Sequence, residues 1–405
     1  MKILFLTDNF PPEVNAPANR TYEHAKEWVK QGIDVTVITC APNFPKGKVY
    51  EGYKNKFIQT EYLDGIKVIR VWTYITANEG TIKRILDYCS FSFMAFWAGL
   101  FIKTDVIIAT SPQFFTALSG RWLSFFKRKP WIMEVRDLWP ESIVAVGAMK
   151  KGKVIQFFEW LEKRLYKSAN HIVVVTDSFK QKIIERGIDE RKISIHKNGA
   201  NLELYSPRPK DKDLEKEYQL DGKIVFAYIG THGMAHGLDF ILKSIAKIQE
   251  SRPDIHFLFI GDGAERNNLL TLNEKLGLQN TTFVPSVPKN EVVRYLSLMD
   301  FALVNLRKSD TFKTVIPSKI FEAAAMEKPI FLGLEGETKG IIEKYNAGLC
   351  FEPENEADFI LKLEGITEPS KYKKFLDGCK NLVADFDRKQ IAVNLLEDIK
   401  AAAKL

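Results

Sequence analysis

The amino-acid sequence predicts an α/β protein made of two domains, each built on a parallel β-sheet. Three observations lead to this prediction. The chain has 405 residues, which is too long for a single compact hydrophobic core. Strand-like apolar runs alternate with segments of helical period, a pattern that favours parallel sheets with right-handed crossovers. The alternation stops at a charged linker, from about residue 207 to 222, and then begins again.

Short apolar runs mark the predicted strands on both sides of the linker. Those of the first domain are residues 2–7, 34–39, 67–72, 106–109, 131–134, 171–176 and 193–196. Those of the second are residues 224–229, 256–260, 282–284, 301–305, 329–332 and 349–351. The first domain is expected to comprise residues 1–203 and the second residues 204–385.

Composition limits the class of protein. Hydrophobic residues make up 45% of the chain and charged residues 27%, values typical of a soluble globular protein. The four cysteines are scattered without C-x-x-C spacing, so neither a zinc site nor a disulfide framework is indicated. The N-terminus has only a short apolar run, which predicts a buried first strand and not a signal peptide. A reducing cytoplasm is the expected compartment.

The loop after the first strand, residues 9–16, lacks G-x-G-x-x-G, which argues against a dinucleotide-dependent oxidoreductase. After the predicted strand 131–134 come Arg136 and Asp137. An arginine cannot act as a base at physiological pH. Asp137 or Glu141 is therefore the better candidate for accepting a proton. The alternative is an Arg–Asp pair that only shapes a domain interface.

Positive charge is concentrated in the first half of the chain. Residues 1–200 hold 30 Lys and Arg against 20 Asp and Glu, which indicates an anionic partner, either a membrane surface or a polyanion. The uncharged, aromatic segment 88–102 is too short to span a bilayer of roughly 30 Å, and a buried helix is the simpler interpretation. Segment 121–129 combines Trp and Phe with four cations, a composition that suits a membrane interface. No nucleic-acid-binding motif accompanies these segments.

Two loops of the second domain are candidate ligand sites, because ligands of such sheets bind at the carboxyl ends of the strands. Loop 230–237 contains three glycines in eight residues, which would let backbone N–H groups approach a diphosphate. A plain tight turn is the alternative. Loop 261–263 reads Gly-Asp-Gly and commonly borders the nucleotide in such folds, although Asp-Gly is also an ordinary turn signal. The candidate residues are Gly230, Thr231, His232, Gly233, His236, Gly261, Asp262 and Gly263.

The segment 316–328 predicts a helix with a cation in its first turn. Pro317 and Ser318 form the expected helix start, with the serine oxygen as a cap. Lys319 then meets the positive end of the helix dipole. A phosphate bound there would resolve this conflict, and Glu322 could reach the hydroxyls of an attached ribose. An ordinary amphipathic helix with a solvated lysine is the alternative.

Taken in order, these motifs resemble the retaining glycosyltransferases of family 4. The resemblance is to the bacterial branch that makes O-antigen and capsule, includes N-acetylfucosamine transferases and carries a P-S-K-x-x-E helix. It extends over roughly the full length of the chain. The matching features are Pro11-Pro12-Glu13, the segment 136–142, Val174-Val175-Thr176, Asn198-Gly199, Gly261-Asp262-Gly263 and the segment 317–322.

The resemblance implies the GT-B fold, in which two Rossmann-like domains face each other across a cleft. It implies that the last helical segment, residues 386–405, crosses back onto the first domain. The implied activity is transfer of an N-acetylhexosamine or N-acetyl-deoxyhexosamine from UDP to a polyprenyl-diphosphate-linked saccharide. The protein would then work in the cytoplasm, peripherally at the inner face of the cell membrane. No metal or other cofactor is expected, since the donor-loop candidates contain no D-x-D.

The resemblance also locates the donor and shows where this chain departs from the family. The base is expected beside Val284 and Pro285. The family has a pair of glutamates spaced E-x7-E; Glu322 matches the second, but Thr314 occupies the first position. Many relatives have Arg and Lys in the loop that here offers Thr231 and two histidines. Lys319, with Arg307 or Lys308, must then supply more of the phosphate counter-charge.

In the first domain, Asn15 and Ala16 stand where the family often has Gly-Gly to approach the donor. Arg20 matches a position that the branch usually fills with arginine. It would hold an acceptor diphosphate or pair with Glu13 or Glu23. Arg136 stands where many relatives have histidine. The catalytic candidates are Arg136, Asp137, Glu141 and Lys319.

Two other functions remain open from the sequence. A nucleotide-sugar 2-epimerase shares the implied architecture but needs acid–base carboxylates that act on the sugar itself. A non-catalytic module that binds a nucleotide sugar or a membrane is the second alternative. The unusual residues Thr314 and Arg136 make it more plausible.

Overall fold

The computed structural model describes residues 1–44, 47–76, 81–111, 114–141, 144, 152–288, 291–367 and 369–404. The chain divides into two compact units. Unit 1 comprises Met1–Lys197 together with Arg388–Leu405, and unit 2 comprises Asn198–Asp387. Each unit is built on one β-sheet, and apolar clusters on the sheets form the cores.

Unit 1 contains an eight-stranded sheet. Its strands are β1 (Lys2–Leu6), β2 (Asp34–Cys40), β3 (Ile58–Leu63), β4 (Ile66–Val71), β5 (Val106–Thr110), β6 (Trp131–Val135), β7 (His171–Val174) and β8 (Ile193–Ile195). They lie in the order β3-β4-β2-β1-β5-β6-β7-β8. The helices described in this unit are α1 (Ala16–Lys30), α2 (Thr81–Leu100), α3 (Phe114–Lys127), α4 (Lys153–Ser168), α5 (Asp177–Glu185) and α14 (Arg388–Ala403), the last helix of the chain.

Helices cover the central strands of this sheet. All residues of β5 and β6 are buried, as expected for parallel strands with helices on both faces. Helix α14 packs against α1, where the Trp28 indole N–H donates a hydrogen bond to the Ala392 carbonyl oxygen at 2.8 Å. Leu396 and Ile399 of α14 are fully buried. The last helix is therefore part of the core of unit 1.

Strand β3 is missing from the sequence prediction. Its residues alternate between exposed and half-buried, so the sequence shows no continuous apolar run. It pairs antiparallel with β4 across Asp64 and Gly65, whose φ angles are 48° and 81°. A two-residue Asp-Gly turn with both φ angles positive is a favoured hairpin connection. The edge of the sheet is therefore antiparallel, whereas the prediction had only parallel strands.

Unit 2 contains a six-stranded sheet in which the paired strands are parallel. Its strands are β9 (Ile224–Ile229), β10 (Ile255–Ile260), β11 (Thr281–Val284), β12 (Phe301–Asn305), β13 (Ile330–Gly333) and β14 (Gly348–Phe351), in the order β11-β10-β9-β12-β13-β14. Its described helices are α6 (Lys212–Glu217), α7 (Leu238–Ile248), α8 (Arg266–Lys275), α9 (Val292–Leu298), α10 (Lys319–Ala325), α11 (Glu337–Tyr345), α12 (Glu356–Glu364) and α13 (Pro369–Asp385).

The charged segment 207–222 is not a bare linker. It contains α6, which is capped by the Asp211 side chain accepting from the Leu214 N–H. Leu214 and Leu220 are buried in the core of unit 2. Arg294 of α9 donates to Asp211 at 2.7 Å. The segment therefore belongs to unit 2, because its leucines pack inward while most of its charged side chains, Glu215 excepted, stay outside the core.

The predicted α/β class with two mainly parallel sheets is confirmed. Every predicted strand corresponds to a strand of the structure, with its ends shifted by at most two residues. Parallel pairing of neighbouring strands brings the loops that follow them to one edge of each sheet. This edge carries most of the candidate site residues.

Candidate active site

Two loops meet at the carboxyl-end edge of the unit 2 sheet. One follows β9 and the other follows β10, and these strands are neighbours. The Gly230 N–H donates to the Ile260 carbonyl oxygen at 2.8 Å, and the His232 N–H donates to that of Asp262 at 2.9 Å. The predicted Gly-rich loop and the Gly-Asp-Gly loop therefore form one hydrogen-bonded layer.

Glycine is required where this layer is most crowded. Gly230 has φ of 146°, and a Cβ atom there would overlap the Nζ and Cε atoms of Lys319. A Cβ atom at Gly261 would overlap the carbonyl oxygen of Gly230. The glycines thus allow the lysine side chain to lie directly against the loop backbone.

Lys319 is the cation at the centre of this site. Its Nζ atom lies 3.9 Å from the centroid of the Tyr228 ring, a cation–π contact. The Tyr228 hydroxyl donates to the carbonyl oxygen of the exposed Thr231 at 2.7 Å. No ion pair to Lys319 occurs among the described residues. Burial lowers the pKa of Lys319 to about 7, opposed by the more distant charge of Glu322.

The two histidines of the loop are neutral at pH 7. Burial, with the charges of Arg266 and Lys319, lowers the pKa of His232 to about 4. Burial and the charge of Lys319 lower the pKa of His236 to about 4. The backbone N–H of His236 donates to the Gly233 carbonyl oxygen. His232 is fully buried, and its ring nitrogens have no hydrogen-bond partner in the described part of the chain. The imidazoles are therefore weaker counter-charges than an ordinary histidine.

Helix α10 begins at Lys319, directly after Pro317 and Ser318. The Ser318 side chain makes no capping hydrogen bond, so the predicted cap is wrong. Glu322 lies one turn beyond the lysine and is half-buried. Because the helix has only seven residues, Lys319 and not the helix end is the candidate group for binding an anion here.

Arg307 and Lys308, expected as additional phosphate counter-charges, are held by carboxylates. Arg307 donates to Asp239 at 2.8 Å and to Glu354 at 3.1 Å. Lys308 pairs with Glu352 at 2.5 Å. The structure corrects this expectation, since both cations are already neutralised within unit 2.

Arg266 is a second cation at the site, and the sequence reasoning missed it. It is the first residue of α8, shortly after the Gly-Asp-Gly loop. Its Nη1 atom donates to the carbonyl oxygens of Gly261 at 2.9 Å and Val284 at 3.3 Å. No carboxylate pairs with it in the described ranges. An arginine that starts a helix just after a glycine loop was the available signal.

Several other donor candidates are engaged in local hydrogen bonds. The Thr314 hydroxyl donates to the Thr311 carbonyl oxygen at 2.8 Å, within the short 3₁₀ turn Phe312–Thr314. The Asp262 carboxylate accepts the Gly263 N–H at 2.8 Å, as in an ordinary turn. In this state Thr314 does not replace the missing glutamate, and Asp262 stabilises its own loop.

The segment expected beside the base, Val284 and Pro285, also makes hydrogen bonds within unit 2. The Val284 carbonyl oxygen accepts hydrogen bonds from the Gly261 N–H, at 3.0 Å, and from Arg266. Pro285 is exposed and has no N–H. The Val284 carbonyl oxygen is therefore already bonded to the neighbouring loop and is not free to recognise a base.

In unit 1, Arg20 is almost completely buried, at 2% exposure. Its guanidinium donates to Glu134 at 3.1 Å and to the backbone carbonyl oxygens of His196 and Lys197. Glu134 is a partner that the sequence reasoning did not consider. The structure corrects the expectation of an acceptor contact, because the guanidinium is turned inward onto these acceptors.

Arg136 follows β6, and its backbone N–H donates to the Ser111 hydroxyl at 3.0 Å. Its side chain faces Glu134, Arg20 and Arg388, and burial lowers its pKa to about 10. It therefore stays charged at neutral pH and cannot act as a base. Its Nε and Nη1 atoms have no hydrogen-bond partner among the described residues.

The two carboxylates proposed as proton acceptors differ in their surroundings. Glu141 accepts from Lys182 at 2.5 Å and from Arg186 at 3.0 Å. Both oxygens of Glu141 therefore already accept hydrogen bonds from cations, which points to a structural role for this carboxylate. Asp137 lies just beyond the carboxyl end of β6 and is half-buried. Ser142 of the same motif lies outside the described residues.

Asn15 caps the first helix. Its side-chain oxygen accepts the Ala18 N–H at 2.9 Å, and its amide donates to Asn9 at 2.7 Å. Ala16 is the exposed first residue of α1. Asparagine is a preferred N-cap, so the structure gives Asn15 a structural role where an acceptor contact was expected.

The aromatic segment 88–102 forms a helix that is buried on only one face. In α2, Phe91 and Met94 are buried, whereas Phe93 is 61% and Trp97 48% exposed. Phe101, in the turn after the helix, is 84% exposed. The simpler interpretation as a buried helix is therefore wrong for the face that carries these rings.

Helix α3 continues this exposed surface. It packs beside α2, with the hydroxyl oxygens of Ser92 and Ser119 2.7 Å apart. Beside it, α4 presents Phe157 and Trp160, which the sequence reasoning missed. We call the exposed rings of α2, of α3 and of the turn after α2 the aromatic surface. It consists of Phe93, Trp97, Phe101, Trp122, Phe125 and Phe126.

None of the described helices is both long and apolar enough to cross a membrane. No group of three or more His, Cys, Asp or Glu side chains that could hold a metal ion occurs among the described residues.

Comparison with known protein families assigns both halves of the chain. Residues 15–199 match a "Glycosyl transferase 4-like domain", and residues 209–376 match "Glycosyl transferases group 1". Among curated proteins, one relative is named "Putative colanic acid biosynthesis glycosyl transferase WcaI", from Escherichia coli strain K12. It is 25% identical over 369 residues, which are 88% of this chain and 89% of the relative.

Two solved structures share the fold over nearly the whole chain. Sucrose-phosphate synthase from Thermosynechococcus elongatus superposes with a TM-score of 0.76 at 16% identity, covering 99% of this chain and 98% of that one. Anabaena HepE, solved in complex with UDP and glucose, superposes with a TM-score of 0.73 at 16% identity, covering 99% of each chain. At this identity the similarity establishes the fold.

Proposed function

Because the chain is a glycosyltransferase with the GT-B fold, formed by a 4-like domain and a group 1 domain, we propose that it transfers a sugar from UDP with retention of configuration. The donor is an N-acetylhexosamine or an N-acetyl-deoxyhexosamine. The acceptor is a polyprenyl-diphosphate-linked saccharide of O-antigen or capsule synthesis. Unit 2 binds the donor and unit 1 the acceptor, with the domain boundary near residue 203 as expected from the sequence.

The single observation that carries the proposal is the state of Lys319. Its ammonium lies on the Tyr228 ring and against Gly230, without an ion pair among the described residues. Burying a charge without a partner is unfavourable. An incoming diphosphate would supply that partner, with charge-assisted hydrogen bonds of the kind that make phosphate contacts strong. Arg266 adds a second cation without a carboxylate at the same edge.

The proposed chemistry is leaving-group stabilisation. A retaining transfer passes through an oxocarbenium-like transition state, in which negative charge develops on the departing diphosphate. Lys319 and Arg266 oppose that charge, and such preorganised electrostatic contacts are among the largest catalytic effects. Asp137 is the proposed proton acceptor for the acceptor hydroxyl, since Glu141 is held by two cations and Arg136 stays charged.

Three findings support the nature of donor and acceptor. HepE, which shares the fold, binds UDP and glucose. The E. coli relative is named for colanic acid biosynthesis, which is polysaccharide assembly. The aromatic surface of unit 1 carries Arg121, Arg128 and Lys129 beside its rings, which suits an anionic bilayer that holds a lipid-linked acceptor. We therefore propose peripheral attachment to the inner face of the cell membrane.

Turnover with lipid-linked saccharides tests the proposal. The purified protein is incubated with a panel of UDP-sugars and polyprenyl-diphosphate-linked saccharides, and products are resolved by mass spectrometry. Transfer of one donor sugar with retention supports the proposal. A change in the sugar with donor alone would identify a nucleotide-sugar epimerase. Binding of donor without any turnover would identify a non-catalytic module.

A further inference from the structure

Tyr228 is a buried aromatic residue to which the proposed function gives no role of its own. It is the fifth residue of β9 and is 1% exposed, so its ring is fixed by the core of unit 2. The hydrogen bond from its hydroxyl to the Thr231 carbonyl oxygen anchors the far end of the ring. One face of the ring receives the Lys319 ammonium, 3.9 Å from the centroid. A rigid ring therefore holds the end of a flexible side chain.

The other groups around the ring are uncharged. His232 and His236 lie with their ring centroids 5.9 Å and 5.8 Å from that of Tyr228. Their pKa values are about 4, so neither adds charge at neutral pH. The charge of Glu322 also favours the ammonium form of Lys319. The face of the Tyr228 ring adds a direct cation–π contact that favours the same form.

We infer that Tyr228 is a positioning residue of the donor site: its ring face holds the Lys319 ammonium where the donor diphosphate binds. This inference rests on the proposed function for the identity of the anion. An aromatic ring suits this task because it attracts a cation without neutralising it. A carboxylate in the same place would form an ion pair that the diphosphate must break.

The arrangement has a consequence for proton uptake. In the free protein the Lys319 pKa is about 7, below the ordinary lysine value. A bound diphosphate favours the ammonium and raises this pKa. Donor binding therefore takes up a proton above pH 7, and donor affinity falls as pH rises through and beyond 7. Arg266 and Asp262 are the other charged groups of the two loops, and His232 and His236, with pKa values of about 4, stay neutral throughout this range.

Two variants separate the ring from its hydroxyl. Tyr228→Phe removes the hydroxyl and keeps the aromatic face. Tyr228→Leu removes the aromatic face and keeps a buried apolar side chain. Phe283→Leu is the matched control, because this ring lies beside His232, at 6.1 Å between centroids, and does not face Lys319. Thermal unfolding of each variant checks that it folds.

The first measurement needs no ligand. Competitive labelling with acetic anhydride, quantified by mass spectrometry on the Lys319 peptide, gives the pH midpoint of this amine in the free protein. We expect midpoints near 7 for wild type, Tyr228→Phe and Phe283→Leu. Tyr228→Leu should have a lower midpoint, because burial persists while the cation–π contact is lost. An unchanged or raised midpoint in Tyr228→Leu would overturn the inference.

The second measurement is UDP-glucose affinity between pH 6 and 8.5, since the diphosphate of this probe does not titrate there. At pH 6 we expect affinity to fall about 10-fold in Tyr228→Leu, the loss of one cation–π contact, and to stay near wild type in Tyr228→Phe and Phe283→Leu. Equal affinities in all variants would overturn the inference. If labelling shows the expected midpoints but neither the wild type nor any variant binds UDP-glucose or free UDP at any pH, the proposed UDP site is wrong while the contact of Tyr228 with Lys319 stands.

Discussion

At the scale of single residues, ion pairing separates the cations that stabilise unit 2 from those that can bind a ligand. Arg307 and Lys308 each pair with carboxylates of neighbouring segments. Lys319 and Arg266, at the loop edge, pair with none in the described residues. All four are basic residues of unit 2 that the sequence alone does not separate, so only the contacts distinguish them. The two cations without carboxylate partners are therefore the ones that we propose for the anion-binding end of the donor site.

Replacing Lys319 with alanine tests this distinction. We expect Lys319→Ala to reduce turnover by about 100-fold or more, because it removes a charge-assisted contact to the leaving diphosphate. The melting temperature should not fall, because the wild-type ammonium is desolvated and its pKa is lowered. Lys308→Ala is the matched control and should keep near-wild-type rates. Steady-state kinetics and thermal unfolding provide both readouts, and near-wild-type turnover of Lys319→Ala would refute the phosphate role.

At the scale of elements, the donor site depends on how closely two loops and a helix start can approach. Gly230 touches the Lys319 side chain, and Gly261 touches the Gly230 carbonyl. The backbone contact is rigid, whereas the lysine side chain is flexible. A side chain added at Gly230 therefore meets a group that can move away, so it should disturb the site more than the fold.

Gly230→Ala should displace the Lys319 ammonium. We expect UDP affinity to fall about 10-fold, the equivalent of roughly 1.4 kcal/mol, because the added Cβ occupies the position of Nζ. Gly340→Ala in α11 is the control, since nothing lies within 4 Å of the added carbon. That change should leave binding unaltered and stabilise the protein by up to about 1 kcal/mol, through helix propensity. Calorimetric titration with UDP would refute the packing argument if both variants bind equally.

The sequence predicts elements better than it predicts contacts. Apolar runs and their alternation identify each buried strand, because burial on both faces needs continuous apolar sequence. Strand β3 has no continuous apolar run, because it lies at an edge of the sheet and its residues alternate between exposed and half-buried. The Asp64-Gly65 turn was the one remaining sequence feature that indicated a hairpin there. The segment 207–222 has no such run either, because its few leucines are separated by charges. Both misses are elements with only one apolar face.

The sequence predicts where the candidate site residues lie better than it predicts the role of each residue. Strand ends and glycine loops place the donor candidates at one edge, and Lys319 was found from its position in a helix start. The roles of Arg20, Glu141 and Arg307 depend on partners distant in sequence: Glu134, Arg186 and Glu354. Long-range pairing leaves no local pattern, so a single sequence cannot reveal which charged residues are already neutralised.

At the scale of the whole molecule, charge neutralisation bears on the need for a metal. Lys319 and Arg266 supply positive charge at the donor edge, which is the role that a divalent cation has in many phosphate sites. We therefore expect transfer activity to persist in excess EDTA. A matched reaction with added Mg²⁺ or Mn²⁺ should run at a similar rate. Abolition by EDTA with recovery on adding Mg²⁺ would contradict this mechanism and leave the fold unaffected.

The distribution of charge and aromatic rings also predicts how the molecule meets a membrane. Unit 1 carries the aromatic surface, and basic residues lie at the end of α3 beside it. Lys127 is only partly available, since its Nζ atom donates to the Leu100 carbonyl oxygen at 2.9 Å. Arg121, Arg128 and Lys129 are therefore the better positions for charge reversal, because no described hydrogen bond or ion pair holds their side chains.

The wild-type protein should bind vesicles that contain anionic lipid and dissociate as salt rises, each nearby Lys or Arg contributing about 1 kcal/mol. Arg121→Glu, Arg128→Glu and Lys129→Glu together should abolish co-sedimentation at low salt while donor hydrolysis continues. The control reverses three exposed lysines of unit 2, Lys275, Lys373 and Lys374, and should still bind, because it changes net charge equally at a face without the rings.

If the unit 1 variant still sediments, the rings of Phe101, Trp97 and Phe125 must provide the attachment, and serine substitutions there should release the protein. Binding that survives both sets of changes would place the acceptor away from this surface and remove the main physical support for a membrane-bound acceptor.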